Sequence, residues 1–188
     1  MRWLTSRKRA VLSDADVVRR VLAGDIDLYT DLVHRYQDEL YRHIVGMGLD
    51  HDTALDLMQD AFVKAYDRLA ECKQPEHFRA WVFRITRNLC FDYMKNVRRL
   101  TVPFSALPDA EALPASLPDA GYDDSLQLAL AQLPAALREA FLLKHLAEYT
   151  YEEIAEMTDA SPSAVKMRVH RARETLREFM IRNGVHAA

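Results

Sequence analysis

Apolar positions along the first hundred residues recur at intervals of three and four, which is the period of amphipathic α-helices. Glycines interrupt this period at Gly24, Gly46 and Gly48. Pro75 stands before the last apolar stretch, where the first turn of a helix tolerates proline. Residues able to cap the first and third helices occur at Ser13 or Asp14 and at Asp50 or Asp52. The pattern therefore predicts four helices, near residues 14–23, 25–46, 50–70 and 76–97.

The C-terminal third of the chain shows the same period in shorter elements. A helix is predicted from Pro134 to about Glu148, and two more follow near residues 151–157 and 162–181. Ser161, in the tight connection between these two, is a candidate N-cap. A short helix, a tight turn and a longer helix are typical of a helix-turn-helix. Since no alternating strand pattern of useful length occurs, the expected fold class is all-α.

Residues 100–125 break the helical period. They contain four prolines, five acidic residues and no basic residue. A proline-rich stretch of this length is typical of an extended, flexible linker rather than of a loop within a domain. The chain is therefore expected to comprise two small helical domains, residues 1–99 and 126–188, joined by this acidic linker.

The composition is that of an ordinary soluble chain, with 49% hydrophobic and 28% charged residues among 188. No apolar run approaches the roughly 18 residues of a membrane span, and the N-terminus lacks an apolar signal block. Cys72 and Cys90 lie far apart without a CxxC motif, so neither a disulfide framework nor a zinc finger is indicated. We therefore expect a cytoplasmic protein without membrane insertion, cofactor or metal.

The net charge of −3 conceals two basic segments. Residues 78–99 contain six basic residues and one acidic residue, and residues 160–188 contain six basic and two acidic residues. Basic patches in two parts of one chain are expected of a protein that binds a polyanion. Solvated helix faces are the alternative explanation.

On a helical wheel, residues 78–99 divide into an apolar and a basic side. The apolar stripe comprises Phe78, Val82, Ile85, Leu89 and Tyr93. Basic side chains mixed with aromatic and amide groups suit single-stranded DNA, since the cations follow the phosphates and the aromatic rings stack on unpaired nucleobases. Alternatively, Trp81 completes the core and the bases are merely solvated. We call the basic side the single-strand face; its candidate residues are Trp81, Arg84, Asn88, Lys95, Arg98 and Arg99.

Residues 161–177 form the longer helix of the predicted helix-turn-helix. Its narrow apolar stripe comprises Val165, Val169, Ala172 and Leu176. Such a helix would lie in the major groove, with its N-terminal half on base edges and its arginines on phosphates. Any helical hairpin can imitate this pattern, although few have so one-sided a basic face. We call that side the reading face; its residues are Ser163, Lys166, Met167 and His170, with Arg171 and Arg173 on the flanks.

The predicted helix over residues 52–66 carries an unusual polar side. Two acids, an amide and an uncovered valine lie opposite its apolar residues, which suits docking to a basic surface of another protein. An ordinary acidic helix face is the alternative. We call this side the docking face; its residues are Asp56, Gln59, Asp60 and Val63.

Two long motifs carry a resemblance to a known family. The runs DTALDLMQDAFVKAYDRL (52–69) and FRAWVFRITRNLCFDYMKNVRR (78–99) resemble region 2 of bacterial sigma factors. Residues 133–178 resemble region 4. A short proline-rich linker between these regions, in a chain under two hundred residues, is similar to that of the small extracytoplasmic-function (ECF) group.

The resemblance implies a role for each face. The docking face matches the surface by which these factors bind the largest subunit of bacterial core RNA polymerase. The single-strand face, with the loop at about 70–77, matches the part that melts the minus-ten promoter element, and Asn88 matches the pocket for a flipped base. The reading face, to which the resemblance adds Ala164, matches the positions that contact the minus-thirty-five element. An anti-sigma factor is implied as a further partner, and the polymerase supplies the chemistry.

Two other kinds of protein were weighed against this interpretation. A stand-alone helix-turn-helix regulator would bind duplex DNA without polymerase, usually as a dimer, but the chain has no zipper seam or ligand-pocket pattern. An all-α metalloenzyme would use its histidines, but no two lie at HxxxH spacing and no Glu-x-x-His pair occurs.

Overall fold

The computed structural model describes residues 12–101, 124–145 and 147–183, without the side chains of 98–101, 124, 125 and 127. In this part of the chain every regular element is helical, which confirms the all-α expectation. Three short 3₁₀ turns lie at Ile26–Leu28, Leu69–Glu71 and Pro75–His77. The helices are α1 (Asp14–Leu22), α2 (Tyr29–Gly46), α3 (His51–Asp67), α4 (Phe78–Thr101), α5 (Asp124–Ala131), α6 (Ala135–His145), α7 (Tyr151–Thr158) and α8 (Pro162–Arg182).

Side-chain caps fix the starts of α1 and α3 where the sequence predicted them. The hydroxyl of Ser13 accepts a hydrogen bond from the backbone N–H of Asp16 at 3.2 Å. The carboxylate of Asp50 accepts from the N–H of Thr53 at 3.0 Å. Each cap satisfies a backbone donor that the first turn of a helix leaves without a partner.

Helices α1 to α4 form the N-terminal domain around an apolar core that continues into the C-terminal domain. Its centre is made of fully buried side chains from all four helices, among them Val17, Leu32, Ala61, Phe78 and Val82. The polar sides of α1 and α3 remain exposed, as their hydrophobic period requires. The core therefore holds α3 and α4 in a fixed relation and leaves one side of each exposed.

The apolar stripe predicted on α4 is wrong at its C-terminal end. Tyr93 is 37% exposed, whereas Phe83, Thr86 and Cys90, outside the predicted stripe, are buried. The buried side is broader than one stripe because α4 packs against α2 and α3 on one side and against α7 on another. Thr86 adapts to this environment by donating its hydroxyl to the carbonyl of Val82 at 3.0 Å.

Helix α5 was not predicted. It begins inside the stretch interpreted as linker and packs against α8, with Ala129 and Leu130 fully buried. Its signal was present, because Leu126, Ala129, Leu130 and Leu133 follow the i, i+3, i+4, i+7 spacing of a buried helical face. The remainder of the predicted linker, residues 102–123, lies outside the described residues.

The predicted helix-turn-helix is present in the C-terminal domain. Helix α7 begins with a capping box in which Thr150 accepts from the N–H of Glu153, and the carboxylate of Glu153 accepts from the N–H of Thr150. The turn passes through Asp159 in the left-handed region, with φ of 50°. The hydroxyl of Ser161 accepts from the N–H of Ala164 at 3.1 Å and so caps α8. The predicted stripe of α8 is buried over its whole length.

The helix before this motif is shorter than predicted. Helix α6 ends at His145 instead of continuing to about Glu148. Glu148 has φ of 57°, a left-handed conformation that a helix does not accommodate. This bend sets the direction in which the chain enters α7.

The two domains pack against each other through α2 with α6 and α4 with α7. Arg138 of α6 is wholly buried and donates to the carbonyls of Leu130, Ala131 and Leu133 in its own domain. It also donates to the carbonyl of Met47, beyond the end of α2, at 3.1 Å. Burial lowers the pKa of Arg138 to about 10, so the guanidinium stays charged at neutral pH. The sequence predicted two domains but not this packing between them.

A second buried group, Glu139 of α6, contacts both α4 and α2. The carboxylate of Glu139 accepts a hydrogen bond from Nε of Arg87 on α4 at 2.9 Å. Its other oxygen lies 3.7 Å from Nε2 of His43 on α2. Burial, with a smaller contribution from Arg87, lowers the pKa of His43 to about 4, so its ring is neutral at neutral pH. The ionic part of this contact is therefore the pair between Arg87 and Glu139.

Candidate nucleic-acid interface

The reading face occupies the exposed side of α8. Ser163, Lys166, Met167, His170, Arg171 and Arg173 are exposed, and Ala164 is half-buried. Met167 is 53% exposed, although burial of a methionine side chain would be favourable. The helix-turn-helix therefore presents one apolar side chain among basic and hydroxyl side chains. Polar side chains suit the hydrogen-bonding edges of DNA base pairs, and an apolar one suits the methyl group of thymine.

One side chain of the reading face has an acidic neighbour on its own helix. Nδ1 of His170 lies 3.2 Å from Oε2 of Glu174, one turn further along α8. Both side chains are more than half exposed, so the pair contributes little to stability. Its effect is to hold the imidazole along the helix, beside the position of Arg171.

The residues of the single-strand face differ in how exposed they are. Asn88 and Lys95 are exposed, whereas Trp81 and Arg84 are half-buried. The indole of Trp81 packs against Phe78 with ring centroids 5.9 Å apart, so it contributes to the core and to the surface at once. The side chains of Arg98 and Arg99 lie outside the described residues.

A groove of about 300 Å³ lies beside this face. Its wall includes Cys72, Gln74 and His77 from the loop before α4, together with Trp81 and Arg84. The C-terminal domain closes the groove by contributing Glu156 of α7, whose carboxylate pairs with Nδ1 of His77. An acidic side chain from one domain therefore stands in the groove beside the single-strand face of the other.

The two cysteines are buried and carry protonated thiols. Burial raises the pKa of Cys72, whose Sγ lies 3.7 Å from the carbonyl oxygen of Gln74. Burial, together with the nearby charge of Glu139, raises the pKa of Cys90 to about 12. Since the thiolate is the reactive form of cysteine, neither thiol is activated in this conformation.

The docking face lies on the exposed side of α3. Asp56, Gln59, Asp60 and Val63 are all exposed, and Val63 is 59% exposed. Tyr66, one turn beyond Val63, is also exposed and extends the face with an aromatic ring. Its ring meets Tyr29 edge-on at a centroid distance of 5.1 Å. The sequence pattern contained this residue, because Tyr66 falls seven positions after Gln59 and so on the same side of the helix.

The side chains that lie between the domains could not be found from sequence patterns. Arg87 belongs to the basic segment 78–99, yet its guanidinium stacks on Phe91, 4.5 Å from the ring centre, and reaches Glu139. Arg79 pairs with Glu39 at 3.0 Å and stacks 4.2 Å over the ring of Tyr149. A basic helix face viewed alone does not reveal that a second domain covers part of it.

Among the described residues, no three histidine, cysteine, aspartate or glutamate side chains come together as metal ligands would. None of the helices in the described ranges is both long and apolar enough to cross a membrane.

Comparison with known families and proteins agrees with this arrangement. Residues 32–100 match the family described as Sigma-70 region 2, and residues 123–176 match Sigma-70, region 4. The ECF RNA polymerase sigma-E factor of Escherichia coli (strain K12) is 30% identical over 182 residues, which cover 88% of this chain and 93% of that protein. SigW of Bacillus subtilis (strain 168), also described as an ECF RNA polymerase sigma factor, is 26% identical over 86% of this chain and 93% of its own length.

A third relative is longer than this chain. The ECF RNA polymerase sigma factor SigE of Mycolicibacterium smegmatis is 32% identical over 85% of this chain, which spans 64% of that protein.

Two solved structures share the fold. The sigma factor RpoE of Bartonella quintana, crystallised with the anti-sigma factor NepR, is 26% identical and superposes with a TM-score of 0.64 over 81% of this chain and 96% of its own. CnrH, in complex with the cytosolic domain of CnrY, has a TM-score of 0.68 over 90% of this chain and 97% of its own. It is 24% identical and so shows the fold alone.

Proposed function

The chain belongs to the ECF group of the sigma-70 family of RNA polymerase sigma factors, and from this premise we propose how its exposed faces divide the work of promoter-directed initiation. Residues 1–99 bind core polymerase and open the minus-ten element, and residues 126–188 bind the minus-thirty-five element. Residues 100–125 connect the two domains through the polymerase. The observation that carries this proposal is that docking and reading residues remain exposed on two separate helices, α3 and α8.

The docking face supplies the contact with core polymerase. Asp56 and Asp60 place two carboxylates one turn apart on α3, and Val63 adds an exposed apolar side chain. A patch of this kind suits a basic partner surface, because complementary charge aligns the partners while apolar burial contributes affinity. Gln59, which lies between the two acids in the sequence, supplies an amide that can donate to and accept from the partner surface.

The single-strand face opens the DNA. Unstacking one base costs a few kcal/mol, and stacking on an aromatic ring returns about 1–3 kcal/mol per base. A flipped base held beside Asn88, with its strand following Arg84 and Lys95, therefore compensates most of the cost of opening. Trp81, exposed in part, offers the aromatic surface, while Arg98 and Arg99 extend the basic track.

The reading face selects the site on duplex DNA. Ser163, Ala164, Lys166 and Met167 stand in the first turns of α8, which enter the major groove first in a helix-turn-helix. His170 and Arg171 follow one turn later, and Arg173 lies towards the phosphates. The protein needs no active site of its own in this mechanism, since the polymerase performs phosphoryl transfer.

Location and regulation follow from the same assignment. A factor that binds core polymerase and promoter DNA works in the cytoplasm. An anti-sigma factor is the expected regulator, because the related RpoE of Bartonella quintana was crystallised with one.

Run-off transcription tests the assignment as a whole. Sigma-free bacterial core polymerase and a pool of promoter fragments are combined with and without the protein. New transcripts that start at defined sites are expected only when the protein is present, and their start sites identify the promoter. Sequence-specific binding to naked duplex without core binding would contradict the proposal and would favour a stand-alone regulator.

Asn88 offers a sharper test of strand opening. We expect Asn88→Ala to reduce open-complex formation about tenfold, the effect of losing about 1.4 kcal/mol of base contact. Asn88 is exposed, so the fold should be unaffected. Permanganate footprinting of unpaired thymines on the promoter found by run-off transcription measures the change. A bubble already opened by mismatches should restore much of the lost activity; a variant equally impaired on both templates would contradict a role in opening.

A further inference from the structure

An acidic side chain lies among the residues of the reading face. Glu174 follows Met167 by seven positions and His170 by four, which places all three on one side of α8. Its side chain is 62% exposed, and the buried stripe of the helix lies on the opposite side. A carboxylate at this place repels the phosphates of DNA, so by its charge alone it weakens binding to every duplex.

The contact between Glu174 and His170 gives the imidazole a defined state. Nδ1 of His170 lies 3.2 Å from Oε2 of Glu174. An ionised carboxylate accepts hydrogen bonds and does not donate them, so Nδ1 carries a proton. In a neutral imidazole one nitrogen donates and the other accepts. Nε2 is therefore the acceptor, because the opposite tautomer would turn the lone pair of Nδ1 towards the carboxylate.

We propose that Glu174 is a positioning residue for promoter selection. It fixes the tautomer of His170, whose Nε2 then accepts a hydrogen bond from the amino group of an adenine or a cytosine in the minus-thirty-five element. The inference rests on the proposed function of the reading face. Glu174 acts through His170 and needs no contact of its own with DNA.

The major groove displays the groups that this tautomer distinguishes. Adenine presents its N6 amino group there and cytosine its N4 amino group, and both groups donate. At the corresponding places guanine presents O6 and thymine presents O4, and both oxygens accept. An acceptor at Nε2 therefore matches adenine or cytosine, whereas facing guanine or thymine it would meet a second acceptor.

This arrangement exchanges general affinity for discrimination. The charge of Glu174 opposes all duplexes alike, whereas the fixed tautomer of His170 disfavours only the wrong base. Specificity is a difference between two affinities, so a group that weakens both still raises specificity when it weakens the wrong one more. A glutamate in the middle of a DNA-binding surface is consistent with that role.

Glu174→Gln tests the proposal with little change of shape. The amide of glutamine both donates and accepts, so it permits either tautomer of His170. Both side chains are exposed and their pair contributes little to stability, so the fold should be unaffected.

The measurement is binding of holoenzyme, assembled from core polymerase and the full-length chain, to the promoter found by run-off transcription. Binding is compared with that of promoters carrying single transitions across the minus-thirty-five element, at about pH 8, where a histidine ring is neutral. A transition exchanges an amino group for a carbonyl at the same place in the groove. In the unaltered holoenzyme we expect one such exchange to weaken binding about tenfold, and in Glu174→Gln no more than about threefold.

Two further variants separate the tautomer from the charge. Glu178→Gln is the matched control, because Glu178 is an exposed acid one turn further along the same side of α8 and pairs with Arg182 at 3.7 Å. It removes the same charge and should keep the tenfold discrimination. His170→Ala should lose the discrimination, and adding Glu174→Gln to it should lower discrimination no further, because Glu174 acts through His170.

The possible results separate this inference from the proposed function. Full discrimination by Glu174→Gln would overturn the positioning role, and so would an equal loss in Glu178→Gln, since charge alone would then explain both. In either case transcripts still start at the promoter, and the proposed function stands. A holoenzyme that starts no transcripts would overturn the proposed function and this inference together.

Discussion

Asp56→Arg is expected to abolish binding to core polymerase and, with it, all promoter-directed transcription. Asp56 is exposed at the centre of the acidic side of α3, one turn before Asp60. Reversing its charge places a cation against the basic surface that the docking face is proposed to meet. A like charge at an interface costs several kcal/mol, so we expect the dissociation constant to rise by at least about 100-fold, which corresponds to about 2.8 kcal/mol.

The measurement is equilibrium binding of the labelled full-length chain to core polymerase, accompanied by run-off transcription. Asp38→Arg is the matched control, since Asp38 is also an exposed acid of the N-terminal domain but lies on α2. It should bind core polymerase as the unaltered chain does. Circular dichroism and thermal melting should be unchanged for both variants, because neither side chain is buried. Retention of full binding by Asp56→Arg would remove the docking face from the mechanism.

The hydrophobic period was sufficient to predict most of this fold. Helices α1, α3 and α8 begin at caps predicted from the sequence, and the stripe of α8 is buried as predicted. Each of these features depends on residues three or four positions apart. Local periodicity is therefore enough to predict these features without knowledge of the rest of the chain.

The errors have a common physical origin, which is contact between distant parts of the chain. Tyr93 was predicted to be buried because it continues a stripe, yet it is 37% exposed at the edge of α3, where its hydroxyl lies 3.3 Å from that of Thr53. Arg138 and Glu139 look like the polar side of α6 in the sequence, although both are buried where the domains meet. A wheel shows which side of a helix is polar, but it does not show whether that side faces water or another domain.

For the candidate site, too, local features were predicted and features that depend on distant contacts were not. Exposure of the reading and docking faces was predicted from periodicity, and the structure agrees. The partial burial of Trp81 lies between the two alternatives that the sequence left open, whereas that of Arg84 was not predicted. The roles of these residues at the promoter and on polymerase remain predictions until the variants are measured.

Removing two basic side chains from the reading face is expected to cause the second large loss of promoter-directed transcription. Lys166 and Arg171 are exposed on α8, in the part of the helix that faces the major groove in a helix-turn-helix. A base-edge contact contributes about 1–3 kcal/mol of discrimination, so removing both side chains as alanines should lower promoter-directed transcription about 100-fold. The promoter identified by run-off transcription is the template.

The salt dependence of binding then shows what each residue contacts. If Lys166 or Arg171 neutralises a phosphate, its alanine variant reduces the slope of log affinity against log salt by about one and weakens all duplex sequences alike. If it reads a base, the slope is nearly unchanged and discrimination against a mutated minus-thirty-five element falls. Arg182→Ala, at the far end of the same helix, is the control and should keep full activity. Undiminished transcription with both Lys166→Ala and Arg171→Ala would show that promoter selection does not use this side of α8. No other exposed side of that helix carries a comparable set of basic side chains within its first turns.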